Sequence, residues 1–155
     1  MELYQIDERG SLFISPSIDN WEPISKLTID VVFNLDYTLD QNIPEEMNKT
    51  LYIFFPFEDR ELPDLQKLHG LAQFGASLIN EGHQVLSHCG MGHNRSALLA
   101  GLILTYLGFS GKDAVRMIQA RRQGALYNKM FAAYLETIPA SETEPVSDRP
   151  ISLFN

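Results

Sequence analysis

The sequence contains a single cysteine among its 155 residues. No disulfide can form within the chain, and the free thiol fits a reducing compartment and needs an explanation of its own. The N-terminal residues have neither the basic start nor the apolar run of a signal peptide. From these features we expect a cytoplasmic protein.

Long apolar segments and positive charge are also scarce. The most apolar segment, residues 97–107, is shorter than the ~20 residues that span a bilayer. The chain has 12 Lys and Arg against 20 Asp and Glu, which gives a formal net charge of −8. Nucleic-acid binders and membrane-surface proteins carry basic faces, so we expect neither kind of partner. An anionic substrate must then be attracted by a local site rather than by the field of the whole protein.

The four histidines and the one cysteine do not make a metal set, because no closely spaced ligand pair accompanies them. We therefore predict no metal site and no cofactor. A hydrophobic fraction of 45% and a charged fraction of 21% are ordinary for a globular protein of one domain.

The pattern of apolar residues changes along the chain. Runs rich in β-branched and aromatic residues predict strands at residues 12–15, 29–35, 51–55 and 84–88, with a loop at 17–23. Helical periodicity or continuous apolarity predicts helices at residues 65–82, 97–107, 111–122 and 127–138. This order predicts a single α/β or α+β domain, and residues 139–155, rich in Pro, Ser and Glu, are expected to form an exposed tail.

The sequence His-Cys-Gly-Met-Gly-His-Asn-Arg-Ser at residues 88–96, here named the signature loop, joins a predicted strand to a predicted helix. A loop that enters a helix presents free backbone N–H groups and the positive end of the helix dipole, which together bind a dianion. Gly90 and Gly92 allow the backbone to curl without Cβ clashes. The segment therefore predicts a phosphate site.

Three side chains of this loop suit attack on phosphorus. A helix N-terminus and a nearby arginine favour the thiolate form of Cys89, which is the nucleophilic form. Arg95, six residues further on, can bind two phosphoryl oxygens with its planar fork, and the Ser96 hydroxyl can hydrogen-bond the sulfur. A lone cysteine is usually a small buried hydrophobe, but the joint pattern His-Cys-x-x-Gly-x-x-Arg-Ser favours a nucleophile.

The signature loop resembles that of the protein tyrosine phosphatase superfamily, His-Cys-x5-Arg-Ser/Thr, and the short chain resembles the small atypical dual-specificity branch. The resemblance implies a cysteine-phosphatase fold, in which a central, mostly parallel sheet of four to five strands is flanked by helices. It implies a catalytic domain at residues 1–138, followed by the tail. It also implies a metal-free, two-step reaction through a phosphocysteine.

The same resemblance implies an aspartate general acid on a loop about thirty residues before the cysteine. Asp59 stands thirty residues before Cys89 and follows the strand predicted at 51–55, so it is the preferred candidate. Asp64 and Glu58 remain alternatives, although Asp64 is also well placed as a helix N-cap.

Further roles follow from the resemblance alone. The phosphate would be bound by the residues Gly90, Met91, Gly92, His93, Asn94 and Arg95. His88 would support the loop and tune the thiolate, and Asn128 would steady the loop or, alternatively, cap a helix. His93 either contacts substrate at the rim of the loop or is merely exposed.

The preferred function is a phosphatase of phosphorylated proteins, acting on phosphotyrosine or phosphoserine/threonine. Lipid phosphatases of the superfamily carry lysines where this loop is neutral, which disfavours phosphoinositides. The Gly-x-Asn-Arg part also resembles RNA 5′-triphosphatase loops, but a basic groove is missing. A phospho-binding module without catalysis is a third class, disfavoured because Cys89 and Arg95 are retained. Arsenate reducers generally need further cysteines, which this chain lacks.

Overall fold

A five-stranded sheet forms the centre of the computed structural model, which describes residues 1–141. The strands are β1 (Tyr4–Gln5), β2 (Leu12–Ser15), β3 (Val31–Asn34), β4 (Leu51–Phe54) and β5 (Val85–His88). Their order across the sheet is β1-β2-β5-β3-β4; β1 is antiparallel to β2, and all other pairs are parallel. The predicted α/β fold with a mostly parallel sheet is thereby confirmed.

In the described part of the chain, five helices accompany the sheet: α1 (Glu22–Lys26), α2 (Leu65–Asn80), α3 (Arg95–Tyr106), α4 (Gly111–Arg121) and α5 (Lys129–Glu136). The prediction of a loop at residues 17–23 is wrong at its end, because α1 starts at Glu22. A proline lies in the first turn of this helix, where its missing N–H group costs no hydrogen bond. The last helix starts two residues later than predicted. Of the predicted tail, residues 142–155 lie outside the described part of the chain.

Alternation along the strands divides the apolar residues between the two faces of the sheet. In β3, Val31 and Phe33 face the larger core with helices α2 to α5, whereas Val32 faces the smaller core with Ile24 of α1. Nearly every position of α3 is buried, which explains why its sequence shows no polar face.

The parallel strands end at a common edge of the sheet. The last residue of β5, His88, is in register with Ser15 at the end of β2 and with Asn34 at the end of β3. Loops that leave the carboxyl ends of parallel strands meet in a crevice, which is where α/β folds bind ligands. The signature loop begins at this edge.

Side-chain caps support two of the predicted helix starts. Asp64 accepts a hydrogen bond from the Lys67 backbone N–H, and Ser110 accepts one from that of Asp113. Within residues 1–141, no helix has the length and apolar character required to cross a membrane.

Candidate active site

The candidate nucleophile lies where β5 ends and the signature loop begins. Cys89 is only 2% exposed, and its backbone N–H donates to the carbonyl of Ser15 on the neighbouring strand. Its Sγ atom lies 3.4 Å from Oγ of Ser96, which is fully buried in the first turn of α3. As a thiol, Cys89 donates in this contact, whereas a thiolate would accept from the hydroxyl.

The backbone of the signature loop packs against the end of β2. Gly92 adopts φ +69°, and a Cβ atom there would lie 2.6 Å from the backbone nitrogen of Pro16. Both the left-handed conformation and the close approach require glycine. The curl predicted from the glycines is therefore imposed by contact with a neighbouring strand.

Arg95 begins α3 and is held along one side of its guanidinium group. Its Nη1 atom donates to the carbonyls of Leu35 and Phe57 at 3.2 Å and lies 3.3 Å from an Asp36 carboxylate oxygen. The guanidinium carbon also lies 4.7 Å from the centre of the Tyr37 ring. Within residues 1–141, the buried Nε atom of Arg95 has no hydrogen-bond partner. The fork is thus fixed at Nη1 and retains an unmet donor at Nε.

Two asparagine side chains hold Asp59 beside the signature loop. The Asn94 amide donates to Oδ2 of Asp59 at 2.8 Å, and the Asn128 amide donates to Oδ1 at 2.9 Å. The backbone N–H of Asn128 in turn donates to the Asn94 side-chain oxygen. Glu58 is exposed and has no such contact in the described structure, and Asp64 caps α2. Of the three acid candidates, Asp59 is the one that is tied to the loop.

Asn128 combines both of the roles considered for it. Its side-chain oxygen caps α5 by accepting from the backbone N–H groups of Met130 and Phe131, while its amide group contacts Asp59. Asn94 occupies the N-cap position of α3 but forms no side-chain cap there, because its side-chain oxygen accepts from the backbone N–H of Asn128 instead.

His88, which immediately precedes the nucleophile in the sequence, belongs to a buried histidine–carboxylate pair. His88 is 1% exposed, and its Nε2 atom lies 2.6 Å from Oδ2 of Asp40, whose side chain is 7% exposed. The hydroxyl of Tyr52 donates to the same oxygen, and the amide of Asn34 donates to that hydroxyl. Burial raises the pKa of Tyr52, so its hydroxyl remains a donor.

A model of the dual specificity phosphatase catalytic domain matches residues 12–138. The chain belongs to the dual-specificity phosphatase family. Members of this family are cysteine-dependent phosphatases, so phosphorylated compounds are the class of substrate that membership implies. No curated protein sequence is significantly similar to the chain.

Solved structures share the dual-specificity phosphatase fold at low sequence identity. Human DUSP28 is 20% identical, with a TM-score of 0.72, and the match covers 87% of this chain and 90% of that one. A mouse putative dual specificity phosphatase complexed with zinc tungstate is 21% identical, with coverages of 87% and 84% and a TM-score of 0.71. PTPMT1 in complex with PI(5)P is 16% identical, with coverages of 87% and 92% and a TM-score of 0.70.

Sequence reasoning missed three residues that contact the signature loop of this dual-specificity phosphatase family member. Asp36 pairs with Arg95, Asp40 pairs with His88, and Arg122 donates to the carbonyls of Met91 and Gly92. Asp36 and Asp40 stand alone in a loop without a motif, and Arg122 ends a helix. No local pattern in the sequence distinguishes these residues from solvated charges.

His93 is half-buried at the outer side of the loop rather than fully exposed. Its ring packs beside Tyr127, with ring centres 5.8 Å apart. Burial lowers the pKa of His93, and the positive charge of Arg122 lowers it further, while Asp59 opposes both. No group of three metal-ligating side chains suited to a metal ion occurs within residues 1–141.

Proposed function

We propose that this chain is a metal-independent phosphomonoester hydrolase that acts on phosphorylated proteins through a phosphocysteine intermediate, with residues 1–138 as its catalytic domain. The observation that carries the proposal is the held guanidinium of Arg95 with its unmet Nε donor, in the same loop as the Cys89–Ser96 contact. A nucleophile and a two-pronged anion clamp on one loop are what phosphoryl transfer to sulfur requires.

In the first step, the Cys89 thiolate attacks phosphorus and forms the S–P bond while the P–O bond to the leaving group breaks. Arg95 and the loop N–H groups bind the non-bridging oxygens as charge spreads over them. Asp59, in its protonated form, gives its proton to the leaving oxygen, so that an alcohol or phenol departs.

In the second step, water attacks the phosphocysteine. Asp59 is now a carboxylate, and it takes a proton from the water as the new P–O bond forms and the S–P bond breaks. Inorganic phosphate and the Cys89 thiolate result. The Ser96 hydroxyl stabilises the departing sulfur by donating a hydrogen bond to it. The amides of Asn94 and Asn128 hold the Asp59 side chain beside the loop.

Protein substrates are supported by the surroundings of the loop. Exposed apolar side chains at its rim include Tyr37 and Met91, with Tyr127 beside His93. Such side chains suit a peptide that presents a phosphorylated residue, and aromatic residues supply contact area at low entropic cost. The loop has no lysine for the additional phosphates of an inositol lipid. Because the thiolate needs a reducing environment, we also propose a cytoplasmic location.

Hydrolysis of an aryl phosphate in the presence of a metal chelator tests the chemistry. We expect turnover by the unaltered chain and none by Cys89→Ser, which conserves size but lacks a comparable nucleophile. Trapping of a phosphorylated enzyme at Cys89 after rapid acid quenching would show the intermediate directly. Absence of turnover by the intact chain at all pH values would refute the enzymatic function and leave a phospho-binding role.

A matched substrate panel tests the substrate class. Phosphotyrosine and phosphothreonine peptides of one sequence, phosphoinositides including PI(5)P, and triphosphorylated RNA are compared by kcat/KM, with Cys89→Ser as the blank. We expect the peptides to be the best substrates. A higher kcat/KM for a phosphoinositide or for RNA would overturn the protein-phosphatase proposal while leaving the phosphocysteine chemistry intact.

A further inference from the structure

The pair formed by His88 and Asp40 is buried, and His88 immediately precedes the nucleophile in the sequence. Successive side chains of a strand point to opposite faces, so His88 lies on the face opposite to Ser87, whose hydroxyl donates to the backbone of Ser96. The imidazole therefore lies on the side of the sheet away from α3, where it pairs with Asp40. Its partner Asp40 belongs to the loop between β3 and β4, forty-nine residues before Cys89.

Asp40 is itself fixed by hydrogen bonds. The Tyr52 hydroxyl donates to the Asp40 carboxylate at 2.7 Å and accepts from the Asp40 backbone N–H at 3.0 Å. Asn34, at the end of β3, donates both to Tyr52 and to the backbone carbonyl of Thr38. These hydrogen bonds add to the contact with the imidazole in holding the Asp40 carboxylate.

A carboxylate can only accept, so the Nε2 atom of His88 must carry the proton that is shared in the 2.6 Å contact. The other ring nitrogen, Nδ1, is buried and has no partner within residues 1–141. Asp40 thus selects the forms of the ring that are protonated at Nε2, as outer carboxylates do for histidines that serve metals and nucleophiles.

We propose that Asp40 is a positioning residue for the nucleophile: acting through His88, it fixes the orientation and protonation of the imidazole and thereby favours the thiolate of Cys89. This inference rests on the proposed role of Cys89. A neighbouring carboxylate favours a positively charged ring, and a positive charge on the residue that precedes the cysteine favours the thiolate.

Other charged groups also surround the loop. Among the described residues these are Asp36, Asp59, His93, Arg95 and Arg122, which contact the loop elsewhere or belong to it. None of them hydrogen-bonds His88, and all of them are unchanged in the variants below. A difference between these variants therefore reports on Asp40, Tyr52 and His88.

The test is the pH dependence of Cys89 alkylation by iodoacetamide, which requires no turnover and uses the only thiol in the chain. We expect Asp40→Asn to move the half-maximal rate upward by about 0.5 to 1 pH unit, with the rates converging near about pH 9, where both proteins are thiolates. A rate that falls by the same factor at every pH would indicate a merely structural effect and refute the proposal.

Tyr52→Phe is the matched control. It removes the hydrogen bonds that anchor Asp40 but keeps the carboxylate–imidazole pair, so we expect a lower melting temperature with a shift of less than about 0.2 pH unit. His88→Gln should reproduce the Asp40→Asn shift, and the double variant should add nothing to it. Equal shifts in Asp40→Asn and Tyr52→Phe, or additive shifts in the double variant, would overturn the proposal.

Nitrogen NMR of His88 in the unaltered chain keeps the proposal testable if Asp40→Asn does not fold. We expect Nε2 to be protonated throughout the range in which the protein is folded. A neutral ring protonated only at Nδ1 would refute the proposal. Turnover by Cys89→Ser would instead refute the proposed function, while the alkylation and NMR results would still stand, so the two failures can be told apart.

Discussion

The candidate acid and the candidate nucleophile come from distant parts of the chain. Hydrogen bonds of individual side-chain atoms hold the acid at the loop that carries the nucleophile. Asp59 contacts the signature loop because the Asn94 amide donates to its carboxylate, while the Asn94 oxygen, which could cap α3, accepts from the Asn128 backbone N–H. The proximity of Cys89, Arg95 and Ser96 in one loop could be predicted, because all three lie within eight consecutive residues of the sequence. The pairing of Asn94 with Asp59 could not, since a tertiary contact determines it.

The leaving group provides the test of Asp59. We expect Asp59→Asn to slow the hydrolysis of an alkyl phosphate, whose leaving oxygen needs a proton, by at least about 100-fold, and that of an activated aryl phosphate by less than about tenfold. Steady-state kcat/KM for the two substrates measures the difference.

Asp64→Asn is the matched control for that experiment. Asparagine caps helices as well as aspartate does, so we expect the stability of α2 and both rates to be nearly unchanged. A larger loss from Asp64→Asn, or equal losses on both substrates from Asp59→Asn, would mean that the general acid is a different residue.

The lowered pKa of His93 predicts that the stability of the protein depends on pH. Burial and Arg122 lower the pKa of His93 from its ordinary value of 6.5, so in the pH window just below that value the unfolded chain binds more protons than the folded one. The free energy of unfolding therefore falls as the pH decreases through this window. We expect His93→Gln, which cannot titrate, to lose less stability between about pH 7.5 and about pH 5. Urea unfolding at several pH values measures this, and parallel curves would contradict it.

Secondary-structure elements were predictable where their pattern was long enough to show a period. The parallel strands and the helices α2 to α5 follow from apolar runs, caps and periodicity. Helix α1 and strand β1 have only five and two residues, so neither contains a full repeat of its pattern. Tertiary packing forms them: Ile24 of α1 is 3% exposed in the smaller core.

The close packing of helices α4 and α5 predicts that Gly111 cannot be replaced by a larger residue without loss of stability. A Cβ atom on Gly111 would lie 1.5 Å from the backbone carbonyl oxygen of Leu135. We expect Gly111→Ala to separate the two helices and lower the free energy of unfolding by about 2–3 kcal/mol. Denaturant unfolding monitored by circular dichroism measures the change.

Gly70, in the exposed middle of α2, serves as the control. Apart from its chain neighbours and the backbone of its own helix, no atom of residues 1–141 lies within 4 Å of a Cβ added there. Alanine there should stabilise the protein by about 0.5–1 kcal/mol, because it favours the helix over the unfolded chain. Opposite signs for the two alanine substitutions are expected, and a neutral Gly111→Ala would disprove the tight α4–α5 contact.

On the scale of the whole molecule, the charge of −8 opposes the approach of any anionic substrate. We expect kcat/KM for a phosphopeptide with acidic flanks to rise about two- to fivefold from about 10 mM to about 1 M salt, as the Debye length falls from ~30 Å to ~3 Å. The same peptide with lysine flanks should show a decrease. Equal salt responses for the two peptides would show that the field of the protein does not influence substrate capture.

The guanidinium of Arg95, fixed at Nη1 and unpartnered at Nε, determines what an inhibitor must look like. A fragment that covers the loop without an acceptor for Nε leaves a buried donor unsatisfied, which costs about 1–3 kcal/mol of binding free energy. Flat groups with two acceptor atoms along one edge, such as aryl carboxylates, match the fork. Screening libraries for this protein should therefore be enriched in such groups rather than in neutral aromatic fragments.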